Sequence, residues 1–64
     1  METSWSLEDY KDYYHELAGI YENDGLPTFS ANIKAKNQTL DLFTKNEQPT
    51  KEEVKELLTI LKGV

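Results

Sequence analysis

The chain has 64 residues, no cysteine, and 12 acids against 7 bases, for a net charge of −5. That length makes one domain near the lower limit for independent folding, with no disulfide to staple it and no thiolate to react. All seven bases are lysine, and without arginine the bidentate reading of phosphate or guanine is disfavoured.

The opening Met-Glu-Thr-Ser-Trp-Ser is acidic where a secretory leader would be basic. No run approaches the ~20 apolar residues of a membrane span. The expectation is a cytoplasmic protein with residues 1–64 as a single acidic domain, of the kind found among phage or bacterial accessory proteins. Charge is unevenly spread. Residues 1–26 hold seven acids and one lysine, a net of −6, whereas residues 27–46 hold three lysines and one acid, a net of +2. Such asymmetry points to where a charged partner would dock.

The first predicted element is a helix over residues 7–24. Ser6 is its N-cap, and Asp9 at N3 completes a weaker form of the capping box. Trp5 and Tyr10 have the spacing of a hydrophobic staple. Leu7, Tyr10, Tyr14, Leu17 and Tyr21 recur at helical steps of three and four, with Tyr13, Ala18 and Ile20 widening the stripe. Gly25 suits the left-handed position after the helix, Leu26 and Tyr21 form the expected Schellman pair, and Pro27 blocks continuation. Gly19 is a weak point in the interior.

The middle of the chain has the strand period. Phe29, Ala31, Ile33 and Ala35 alternate with Ser30, Asn32, Lys34 and Lys36, and Leu40, Leu42 and Thr44 alternate again. A turn at Asn37-Gln38 would pair Ala35 with Leu40, Ile33 with Leu42 and Ala31 with Thr44, and Lys34 with Asp41 on the other face. This agreement between pattern and register predicts a hairpin, although alanine, lysine and asparagine are poor strand formers. The rival is a helix from Ser30 to Thr44 with Ile33, Leu40 and Phe43 inward. Residues 45–49 read as a polar linker.

The last element is a helix over residues 51–62. Thr50 and Glu53 form a capping box, Val54, Leu57, Leu58 and Leu61 form the apolar stripe, and Lys62 suits the negative end of the helix dipole. Gly63 ends the pattern. The predicted fold is therefore a small α+β domain in the order α-β-β-α, two helices packed on a β-hairpin, with a three-helix bundle as the alternative. Its expected core is Leu7, Tyr10, Tyr14, Leu17, Tyr21, Leu26, Phe29, Ile33, Leu40, Leu42, Val54, Leu57, Leu58 and Leu61.

No constellation for catalysis is visible, and no cofactor is expected. There is no Gly-x-Ser-x-Gly setting and no phosphate-cradling glycine loop, because the only glycines are Gly19, Gly25 and Gly63. His15 falls with Lys11 and Glu22 on the polar side of the first helix. Asp12, His15 and Glu16, with Glu8 a turn earlier, share a face, but one convex face cannot supply the six or more oxygen ligands of a hard cation. No metal is therefore expected. Asn37-Gln38-Thr39 matches the glycosylation sequon, which matters only in a secreted chain.

What remains is interaction. Glu8, Asp9, Asp12 and Glu16 form an acidic stripe, and Tyr13 at its margin is a candidate anchor for a partner, with Ile20 beside it. The favoured function is a non-enzymatic protein-interaction module, a small regulatory or inhibitory protein that meets a basic surface through this face; a mimic of the DNA backbone is its narrowest form. The alternative is nucleic-acid binding through Lys34, Lys36 and Lys45 on the hairpin. A third arrangement is a homo-oligomer that buries the wide stripe of the first helix between copies.

Overall fold

The computed structural model describes residues 5–62. It folds them into three α-helices: α1 at Leu7–Asn23, α2 at Thr28–Glu47 and α3 at Lys51–Lys62. Among the described residues there is no strand. The hairpin expectation, and the α+β class with it, is overturned, and the three-helix alternative is the fold.

Local signals account for the ends of α1. The Ser6 hydroxyl accepts from the Asp9 amide at 3.3 Å, and the Asp9 carboxylate accepts from the Ser6 amide at 2.9 Å. Both halves of the capping box are thus made. The Trp5 and Tyr10 rings lie 5.0 Å apart, as the staple requires. At the far end Gly25 has φ +105°, a conformation that glycine adopts without a Cβ clash. The Leu26 amide donates to the Tyr21 carbonyl at 3.1 Å and the Gly25 amide to that of Glu22 at 3.0 Å. Together these are the two bonds of a Schellman motif.

Helix α2 begins one residue after Pro27, which stops α1 and also sets the entry to α2 with an extended backbone. It runs through the expected turn at Asn37-Gln38 and on through residues 45–47, so the polar linker is shorter than its composition suggests. It stops at Gln48, the only non-glycine described residue at positive φ (+48°). Helix α3 opens with the predicted capping box: the Thr50 amide donates to Glu53 at 2.8 Å, and the Glu53 amide to the Thr50 hydroxyl at 3.3 Å.

The alternation that mimics a strand has a helical explanation. Two residues advance about 200° around a helix. Phe29 and Ile33 therefore form one i, i+4 row, and Ala31 and Ala35 form another on nearly the opposite side. The alanine row continues through Thr39 to Phe43, and all four are buried, whereas Phe29 is 75% exposed and Ile33 40%. Hairpin and rival helix alike place Ile33 in the core; the structure leaves it outside and buries Ala31 and Ala35 with Phe43 instead. The reason is size complementarity. Helix α1 buries two large rings, Tyr10 and Tyr14, in the same cluster as Ala35 and Phe43. Large side chains on one helix call for small ones on its neighbour at native packing density.

The interface of α1 with α2 is the most extensive of the three, and α3 leans more on α1 than on α2. Leu57 and Leu61 carry α3 into the core, with Leu7, Leu17, Tyr21, Leu40, Leu42 and Val54 packed around it. Two polar groups are drawn inside. The Thr39 hydroxyl donates to the Ala35 carbonyl at 2.8 Å, the local bond that lets threonine sit in a helix interior. The fully buried Tyr10 stacks edge-on against Phe43 at 4.9 Å, and its hydroxyl donates to the Glu47 carboxylate at 2.9 Å. Burial first, and the Glu47 carboxylate second, hold that phenol above the ordinary tyrosine pKa. No described helix is long and apolar enough to cross a membrane.

Candidate interaction surface

The three helices differ in how their charge balances. Helix α1 holds five acids and one lysine, a net of −4; α2 holds three lysines and two acids; α3 holds three of each. The imbalance of the chain is thus concentrated on the outward side of one helix.

Among the predicted partner-binding residues, the structure brings Asp9, Asp12, Tyr13 and Glu16 together along one groove, and adds Trp5 to its wall. The Trp5 and Tyr13 rings meet edge to face at 5.7 Å and 65°. Trp5 is 39% exposed, so an aromatic surface borders the carboxylates. Glu8 is not in this groove. Its carboxylate turns to Lys11 at 3.2 Å, one turn along. Asp9 is partly committed, because its carboxylate closes the Ser6 cap. Asp12 and Glu16 make no hydrogen bond or ion pair among the described residues. The groove is therefore aromatic on one side and holds two uncommitted carboxylates on the other. Such a surface attracts cations twice over, through charge and through the faces of the rings.

The spacing of Trp5 predicts a helix staple and nothing more. The staple itself brings it to Tyr13, because it folds the indole back over the first turn, towards the next aromatic on the same side.

The candidate nucleic-acid lysines do not form a ribbon, since the hairpin that would align them is absent. The Lys34 ammonium sits 4.8 Å from the centroid of the Tyr21 ring. Lys36, two positions on, is turned about 200° away and is half-buried. Lys45 lies beside Tyr13, Asn37, Gln38, Asp41 and Leu42 in a groove between α1 and α2. His15 is exposed and packs its ring near Tyr14 at 5.3 Å. Among the described residues, no three His, Asp or Glu side chains group closely enough to hold a metal ion.

By its structure the chain is a small three-helix bundle with an acidic, aromatic-bordered groove on its first helix. Its sequence matches no known family model, and neither a curated protein nor a solved structure matches it significantly.

Proposed function

We propose that this chain is a non-enzymatic interaction module, a small regulatory or inhibitory protein that holds a basic macromolecular partner against the outward face of α1. The observation that carries the reading is the groove of Trp5, Asp9, Asp12, Tyr13 and Glu16. Exposed carboxylates on α3 stand among equal numbers of lysines, whereas those on α1 do not. An unbalanced negative strip steers a basic partner into encounter, and a half-exposed aromatic pair supplies the short-range contact that keeps it there.

Trp5 is the only tryptophan and borders both this groove and a second one lined by Glu47, Glu53 and Glu56. Its emission therefore reports a peptide at either, and charge reversal confined to Asp12 and Glu16 tells the two apart. Titration with a decalysine peptide should change that emission, and the affinity should fall as salt is raised. The double variant Asp12→Lys/Glu16→Lys should bind at least about fivefold more weakly, since each exposed ion pair is worth ~0.2–1 kcal/mol and reversal adds repulsion. Its circular dichroism should match that of the parent, because neither side chain supports the fold. Equal binding by parent and variant would sink the proposal.

A further inference from the structure

Tyr13 belongs to two grooves. On one side lie Trp5 and the carboxylates of α1; on the other lie Asn37, Gln38, Asp41, Leu42 and Lys45 of α2. The ring of Tyr13 is half-buried and its hydroxyl makes no hydrogen bond among the described residues. The side chains of Asn37, Gln38, Asp41 and Lys45 are all exposed and likewise make none. The outward face of α1 therefore continues across the seam onto α2, where the lining becomes mixed: the Asn37 and Gln38 amides stand beside the Asp41 carboxylate and the Lys45 ammonium.

We infer that the partner element held here is an extended peptide segment bearing lysine or arginine, laid across the α1–α2 seam over Tyr13. The inference rests on the reading of α1 as a docking face for a basic partner. Charge complementarity selects the cationic side chain, which the uncommitted Asp12 and Glu16 carboxylates receive beside the rings of Trp5 and Tyr13. The amides select the backbone. Asn37 and Gln38 each offer a carbonyl acceptor and an NH2 donor. An extended chain has free N–H and C=O groups to meet them, whereas a docking helix has satisfied its own.

The test is residue-resolved NMR of the whole chain titrated with decalysine, together with the variant Asn37→Ala/Gln38→Ala. Both positions are exposed on α2, and alanine is the better helix former, so the variant keeps its fold. The side-chain amide signals of Asn37 and Gln38 should move with the backbone signals of Asp12, Tyr13 and Glu16 on one saturation curve. The variant should bind roughly tenfold more weakly, the loss of two modest hydrogen bonds. If the α1 signals move while the two amides stay still and the variant binds as the parent does, the seam is not used and the α1 reading alone survives. If α1 does not respond, or Glu52, Glu53 and Glu56 of α3 respond equally, both readings fall.

Discussion

Replacing Ala35 by leucine should destabilise this protein far more than removing most of the larger apolar side chain of Ile33. Ala35 is fully buried in a cluster with Tyr10, Tyr14 and Phe43, whereas Ile33 is 40% exposed. Leucine at position 35 adds three carbons where the rings of α1 already fill the space. Overpacking of that kind costs about 1–3 kcal/mol. In a domain of this size each kcal/mol moves the melting temperature by about 4–8 °C, so a fall of roughly 4–24 °C is expected. Ile33→Ala gives up side-chain area that was never fully withdrawn from water, and alanine is the better helix former. Its net effect should stay within about 1 kcal/mol of zero. Thermal melts and urea titrations followed by far-ultraviolet circular dichroism measure both. A larger loss from Ile33→Ala than from Ala35→Leu would mean that α2 presents its other row to the core, and the packing described here would be wrong.

Substitutions at four further positions have expected outcomes. Tyr10→Phe should cost about 1 kcal/mol, less than the usual worth of a bond to a charged group because water can reach Glu47. The same phenol makes stability pH-dependent: its folded pKa lies above the ordinary value near 10, so its contribution is intact below pH ~10 and declines as the unfolded chain ionises first above it. Urea midpoints taken across the alkaline range should fall less steeply in Tyr10→Phe, and parallel curves would refute this. Gly19→Ala should stabilise by about 0.5–1 kcal/mol in the same melts, because a Cβ there meets nothing within 4 Å and the helix gains propensity. Gln48→Gly should raise the melting temperature slightly, relieving a left-handed residue at φ +48° by about 0.5–1 kcal/mol after the entropy gained by the unfolded chain is subtracted. Ser6→Ala should lower stability by about 1 kcal/mol through loss of the α1 cap; an unchanged melt would show that the cap is not formed in solution.

The candidate site is partly legible in the sequence. Acids at helical spacing share a face wherever a helix exists, so Asp9, Asp12 and Glu16 can be grouped with Tyr13 from their positions alone. Their commitments cannot. Glu8 is drawn to Lys11 and Asp9 to the Ser6 cap, and both depend on side-chain geometry. The approach of Trp5 to Tyr13 depends on how the chain enters α1, and the presence of Asn37 and Gln38 across the seam requires the second helix to be in place.

The same division runs through the fold. Ser6 with Asp9, Gly25 with Leu26, and Thr50 with Glu53 each act within a few residues of chain. The end of α1 and the starts of α1 and α3 are therefore written in local sequence. Residues 28–47 carry no such local signal. Their apolar positions satisfy a period of two and also two opposite rows of a helix, and the side-chain cap that would mark a helix start is missing, its place taken by Pro27. The choice between strand and helix, and between the two rows, falls to packing against α1. The rings of Tyr10 and Tyr14 select a neighbour with a small side chain, and α2 answers with Ala35 while Phe29 and Ile33 face outward. Packing volume is a property of two elements together, and no periodicity within one of them records it.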